Sequence, residues 1–505
     1  MKTSALRTFW VFAFGAAAVL HLAGIFQPFL GNFAQHQTDY ATVVQRWVET
    51  SIRPLDPVMR FIALGKNRLF YGDFPLNITV TAVIVKSTGL PIEAAGRGLS
   101  AIFFFLSILP FAGSLKLAFK NQNISRWAVL FYSLSPLTLI YGQSFLLEMT
   151  ALAWGIAGYY FFLKWFYKKS DAGIYWAGLL FSIMLVTRIY FAPAVLPAAF
   201  LVFRRAPSKG TGLLGAAVFL SFCLALPAAW QIYAGMMAGQ RGDESSLLDN
   251  LRVFVTADPT TPRHSMNLKM ILPVLDTFVA KLVTPAGFIL VFMAVLVRDQ
   301  NSRAAVRFCV FALGCFIPLL MAAPRKFVEF DYYFLPLVPF CAVLAAAAMN
   351  SLISRFDINK ARQAVFIALV FGLALRYSAG PIWIVPDEDR SVLETAARVR
   401  KIAPADARVI ASHGSSTSFL YYTGRDGWAF TPDDQIDAVR NQADFEGTAI
   451  ERLERMRGQG ARYFALSDKR QMSHNPLLYQ YLSTHYRLLD GQGPGLIYSL
   501  EQNGS

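Results

Sequence analysis

The sequence predicts an all-α polytopic membrane domain of about eleven transmembrane helices, followed by a soluble α/β domain. Three observations carry this. Of the 505 residues, 55% are hydrophobic and only 16% charged, where a soluble chain carries about a quarter. Apolar runs long enough to cross a bilayer, about 20 residues each, succeed one another up to about residue 384. Beyond that point charged and polar residues mix at globular density, so the chain divides into a membrane domain over 1–384 and a soluble domain over 385–505.

The first run, 9–29, follows Lys2 and Arg7. It is long for a signal-peptide core and no A-x-A site closes it, so it reads as an uncleaved anchor with a cytoplasmic N-terminus. Further spans fall at about 97–117, 127–141, 149–166, 173–188, 190–203, 211–232, 282–297, 304–323, 332–350 and 363–380. Basic clusters separate alternate spans: Lys116, Lys120 and Arg126; Lys164, Lys168 and Lys169; Arg204, Arg205 and Lys209; Arg298, Arg303 and Arg307; Arg355, Lys360 and Arg362. If all are cytoplasmic, the spans alternate without conflict. A span at 73–90 would invert every later loop, so that stretch is expected to lie at the outer interface, in a long loop over about 31–96.

The soluble domain has helical spacing at 391–402 and 448–458, and strand patterns at 408–412, 462–466 and 495–500. It contains no nucleotide-binding glycine loop and no metal-spaced His/Cys cluster. Cys223, Cys309, Cys315 and Cys341 all lie in apolar runs and read as small buried hydrophobes. The net charge of +15 belongs to topology-setting loops, and no nucleic-acid partner is expected.

Acids and cations gather at the expected outer face. Asp39 lies shortly after the first span, Asp73 precedes Phe74-Pro75, and Glu148 interrupts an apolar stretch. Arg188 breaks another apolar stretch; a charge at mid-bilayer costs about 2.5–3.5 kcal/mol, so it belongs at the boundary or in a polar cavity. Arg97 opens a span at the same level, and Arg325-Lys326 precede Asp331-Tyr332-Tyr333. Each has a bland reading as a turn acid or a snorkelling base. Together they suggest a site for a phosphate-bearing lipid with acid–base chemistry beside it.

The order of these motifs resembles the GT-C glycosyltransferases, in particular the protein O-mannosyltransferase and aminoarabinose transferase branch. The resemblance covers most of residues 1–350. It rests on Asp39, the Asp73-Phe74-Pro75-Leu76 stretch, Arg97-Gly98-Leu99-Ser100-Ala101, Ser135-Pro136 with the Glu148 turn, Thr187-Arg188, Pro227-x-x-Trp230, and Asp331-Tyr332-Tyr333-Phe334-Leu335-Pro336. Three positions depart from it: Phe74 stands where relatives may carry a base, Asp331 where many have His, and Glu148 where Asp is usual. These departures bear on donor specificity more than on reaction class.

The resemblance implies a GT-C fold and an inverting glycosyltransferase that uses a polyprenyl-phosphate sugar. It also implies a bacterial inner membrane, with site and soluble domain facing the periplasm. Asp39 would be the general base, with Asp73 and Glu148 orienting the acceptor or holding a divalent cation such as magnesium or manganese. Arg188, Arg97, Arg325, Lys326 and Tyr333 would meet the donor phosphate. His36 or His264 could join a metal site. The acceptor, whether envelope glycan, lipid or protein, stays open. So does a transporter or flippase of a lipid-linked sugar, although that class favours mid-membrane charges and duplicated halves.

Overall fold

The structure is a computed structural model that describes residues 2–31, 33–63, 66–70, 72–119, 121–205, 209–241, 268–294, 300–414, 416–433 and 447–501. Helical segments occur in each stretch expected to span, as far as those stretches are described, but not as eleven unbroken rods. Among the described residues five helices are individually long and apolar enough to cross a bilayer: Ile92–Ala118, Gly210–Met237, Arg303–Ala322, Asp331–Phe356 and Lys360–Trp383. A sixth crossing is possible as a pair, Ile271–Leu282 and Thr284–Ala294, bent by 101°.

The breaks have local causes. Pro136 starts a new helix after Gln122–Ser133 has ended, because proline cannot continue the preceding hydrogen-bond ladder. Pro193 sits in a 3-10 segment, Ile189–Val195, between Asp171–Thr187 and Leu196–Arg205. At the sharp bend Thr284 takes φ +64, a left-handed value that a β-branched residue adopts only under constraint. The Ser135 hydroxyl donates to Leu282 O there at 2.6 Å and ties the two breaks together.

The bundle packs around the Val338–Phe356 helix, in which every residue from Val338 to Met349 is buried. A helix apolar on all sides belongs at a bundle centre. Its neighbours Gln122–Ser133 and Thr284–Ala294 cover it directly. Outer helices instead expose their large apolar side chains: Phe12 is 80% exposed and Val365 71%. Water would not tolerate such a belt, whereas hydrocarbon does.

Charge is segregated along the bundle. The Glu148–Lys168 helix has 21 residues, about 30 Å, with its acid at one end and Lys164 and Lys168 toward the other. Arg205 donates to Trp165 O and Phe166 O at 3.0 and 2.9 Å, so the basic turns near 168 and 205 share an end.

The loop over 31–96 is folded. It holds the helix Ala34–Glu49, a hairpin of β1 (Val58–Ala63) and β2 (Lys66–Leu69), and the helix Leu76–Thr88. With 13 residues, about 20 Å, the last is too short to cross the roughly 30 Å core.

The C-terminal strands are β3 (Arg408–Ser412), β4 (Gly427–Phe430), β5 (Ala461–Leu466), β6 (Arg487–Asp490) and β7 (Leu496–Ser499). The seven strands form one mixed sheet in the order β2-β1-β4-β3-β5-β7-β6. Phe61 of the loop hairpin pairs in parallel with Gly427, so the C-terminal strands do not complete the sheet alone. On its other side Gly427 lets β4 approach β3, since a Cβ there would lie 1.8 Å from Val409 O. The expected helices appear as Asp387–Ile402 and Ala449–Gly458, the latter opened by a Thr448/Glu451 capping box.

Candidate active site

The site forms where the Asp171–Thr187 helix gives way to the 3-10 segment and leaves Arg188 extended, at φ −149 and ψ 102. Its guanidinium meets Asp73 Oδ1 at 2.5 Å and Glu148 Oε1 at 2.8 Å. It also donates to the Tyr40 hydroxyl oxygen at 2.8 Å, and that hydroxyl donates onward to Asp73 Oδ2 at 3.0 Å. The Arg188 and Asp73 side chains are 14% and 16% exposed, and Glu148 is 0% exposed. Removing such charges from water costs several kcal/mol per ion, so the cluster is tolerable only because one guanidinium is paired with both carboxylates.

Glu148 is the first residue of its helix, where the unsatisfied backbone N–H groups favour an anion. The Tyr190 hydroxyl donates to its Oε1 at 3.5 Å, while Oε2 has no hydrogen-bond partner among the described residues. Tyr190 stacks on Tyr333 at 4.4 Å, and Tyr333 on Tyr332 at 5.1 Å, making an aromatic shelf beside the ions.

A second ion pair stands next to the shelf. Lys281, in the π turn Phe278–Leu282 before the sharp bend, meets Asp331 Oδ2 at 2.7 Å. The buried Tyr141 hydroxyl donates to the other oxygen of Asp331. Asp331 is 3% exposed and Lys281 35%, so the ammonium is the accessible partner.

Asp39 lies beside Tyr40 on the Ala34–Glu49 helix, and its Oδ1 accepts from the Thr417 hydroxyl at 2.7 Å. His36, one turn earlier, packs against Phe330 at 5.8 Å, and the Lys326 ammonium lies over the same ring at 5.1 Å. Burial pushes its imidazole below the ordinary value, and Asp39 opposes that shift.

About one helical turn below the ions begins an apolar cavity of about 230 Å³. Leu152 follows Glu148 by four residues, Met184 precedes Arg188 by four, and both line it, with Phe191 and Pro336 alongside. It continues between helices toward Phe166 and Tyr167, near the basic end.

Asp73, Glu148 and Arg188, expected from the sequence, thus converge, with Asp39, His36, Lys326 and Tyr333 around them. Arg97 does not join them. Its buried guanidinium donates to Gln143 O at 2.5 Å and Pro28 O at 3.0 Å and lies over Phe29, which makes it a backbone clamp rather than a phosphate ligand. Arg325 pairs with Glu329 on its own short helix and is half exposed. The expected cation ligands Asp73 and Glu148 are instead bridged by the Arg188 guanidinium. Among the described residues no three His, Cys, Asp or Glu side chains come together as a metal site. As arranged, this donor set does not suit a divalent cation, and His264 falls outside the described residues. Sequence reasoning missed Lys281, Tyr40, Tyr190 and Thr417. Lys281 carried the same signal as Arg188, a lone base inside an apolar stretch.

No protein-family model matches this sequence, and no curated protein matches it either. Solved structures do share the fold. ArnT from Cupriavidus metallidurans bound to undecaprenyl phosphate has a TM-score of 0.62 at 12% identity, over 99% of this chain and 99% of that one. The archaeal oligosaccharyltransferase AglB from Archaeoglobus fulgidus, in complex with an inhibitory peptide and a dolichol-phosphate, has a TM-score of 0.56 at 12% identity, over 97% and 74%. The mycobacterial arabinofuranosyltransferase AftD has 0.51 at 13% identity, over 98% and 42%. All three are GT-C glycosyltransferases, and the chain has the GT-C fold over nearly its whole length. It is an integral membrane protein.

Proposed function

We propose that the chain is an inverting glycosyltransferase that moves a sugar from a polyprenyl-phosphate donor to an envelope glycan, lipid or protein. The observation that carries this reading is one juxtaposition: a shelf of acids, bases and tyrosines standing directly over an apolar cavity. A lipid-linked phosphosugar has that same division, a charged head on a hydrocarbon tail. Two proteins with this fold were solved with a polyprenyl phosphate, the lipid part of such a donor: undecaprenyl phosphate in one and dolichol-phosphate in the other.

In the proposed reaction an acceptor oxygen or nitrogen attacks C1 of the sugar opposite the phosphate. The new bond to C1 forms as the C1–O bond to phosphate breaks, and the electron pair leaves with the phosphate. Asp39 takes the acceptor proton, and Arg188 with Lys281 and Lys326 stabilises the departing charge. The transfer occurs on the outer face of the membrane, opposite the basic turns near 168 and 205.

The test is transfer from a panel of radiolabelled polyprenyl-phosphate sugars to envelope fractions by the purified, reconstituted protein. Asp39→Asn is expected to lower turnover by about 10²–10⁴-fold while donor binding survives. Failure of every donor, or movement of the lipid-linked sugar across the bilayer without transfer, would replace the enzyme reading with that of a carrier. Near-normal turnover by Asp39→Asn would remove the base assignment alone.

A further inference from the structure

A threonine just before a short helix normally turns its hydroxyl onto the backbone N–H groups of that helix. Thr417 precedes the helix Ser418–Thr423 and does not do so, since no side-chain cap bond is made there. It is 5% exposed, and its hydroxyl points away from its own segment toward the loop helix Ala34–Glu49.

Three acceptors lie within reach: Asp39 Oδ1 at 2.7 Å, Thr38 Oγ1 at 3.0 Å and Gln35 O at 3.3 Å. A hydroxyl has a single proton, and the shortest, charge-assisted contact claims it. Thr417 therefore donates to the Asp39 carboxylate, while the Thr38 hydroxyl donates to Ala34 O at 2.9 Å.

The position of Thr417 is fixed from both sides. The Phe29 N–H donates to the Tyr422 hydroxyl at 2.7 Å, and the Tyr421 hydroxyl donates to Glu93 at 3.2 Å. The Gly31 N–H donates to Asp389 at 3.0 Å, and Arg46 pairs with Asp426 at 3.1 Å. The shared sheet closes the same joint, with β1 of the loop beside β4 of the C-terminal segment.

We propose that Thr417 is a positioning residue for Asp39, and that the C-terminal segment is through it an obligatory part of the active site. The proposal rests on the reading of Asp39 as the base. The Thr417 bond helps fix the orientation of the Asp39 carboxylate toward the acceptor, and loosening it would lower the productive fraction.

The experiment compares kcat, donor KM and melting temperature for the wild type, Thr417→Val, Thr417→Ser and Asp39→Asn, all full length. Thr417→Val should lower kcat roughly 10- to 100-fold, the worth of one charge-assisted hydrogen bond. Donor KM and melting should hold, and Thr417→Ser should restore kcat. Wild-type kcat in the valine variant, beside an inactive Asp39→Asn, overturns the proposal and leaves the base intact. Normal turnover by Asp39→Asn instead removes the base, and this proposal with it. If the valine variant fails to fold, the serine variant decides: its hydroxyl suffices on this proposal, so a tenfold loss of kcat overturns it.

Discussion

Replacing Arg188 by alanine tests whether the buried cluster is held by charge balance. The substitution leaves Glu148, 0% exposed, and Asp73, 16% exposed, without their shared cation. Breaking a buried pair in this way costs about 3–5 kcal/mol. An independent bound agrees. Glu148 can escape by binding a proton, and at pH 7 that costs about 3.7 kcal/mol for an ordinary glutamate pKa of about 4.3. At pH 5 the same protonation costs only about 1 kcal/mol, so the penalty should shrink by roughly 2.7 kcal/mol between the two pH values. The sign is fixed: the variant's deficit relative to wild type is large at neutral pH and narrows as pH falls. Thermal melting of the purified protein in detergent at pH 7 and pH 5 reads this directly. Adding Glu148→Gln to Arg188→Ala should recover much of the neutral-pH deficit, because the buried charge is then gone. A melting temperature for Arg188→Ala equal to wild type at pH 7, or a deficit that grows on acidification, would refute charge balance as what holds the cluster.

Two further outcomes follow from the same geometry. Lys281→Met should raise donor KM by about 10-fold or more, since a charge-assisted contact to phosphate is worth about 1.5–3 kcal/mol; unchanged donor saturation would restrict Lys281 to its pairing with Asp331. Reporter fusions after Lys168 and Arg205 should behave as cytoplasmic, and one after Pro386 as exported, while an exported signal at Arg205 would invert the proposed orientation.

The membrane helices were legible because apolar run length is a property of the segment itself. What the runs could not reveal is where a span breaks. The bend between Leu282 and Thr284 depends on Ser135 reaching Leu282 O from a distant helix, and that contact leaves no local trace. The C-terminal strands at 408–412 and 461–466 were likewise readable from their own pattern. The β1–β2 hairpin was not, because it lies far away in sequence, carries Arg60, Lys66 and Arg68, and finds its place only by pairing with β4. The site followed the same rule. Charges that interrupt apolar stretches, Glu148 and Arg188, were visible as costly exceptions, whereas Tyr40 and Thr417 look like ordinary residues until the fold sets their hydroxyls against carboxylates.

The geometry around Arg188 also constrains how a phosphate could be received. Arg188 pairs with two carboxylates through its terminal nitrogens, and its Nε has no hydrogen-bond partner among the described residues, so on the proposed reaction a donor phosphate either meets that Nε or displaces one of the acids. Glu148 is poorly placed to yield, being fully buried at the start of a long helix whose N–H groups favour its charge. Asp73 is the more exposed acid, sits in a turn before Pro75, and is held otherwise by the Tyr40 hydroxyl. Substitution of phosphate for Asp73 on Arg188 keeps the charge of the buried cluster constant, because one anion leaves as another enters. The tight pairing of Arg188 is therefore compatible with a donor-binding role, either through its Nε or with Asp73 as the acid that moves.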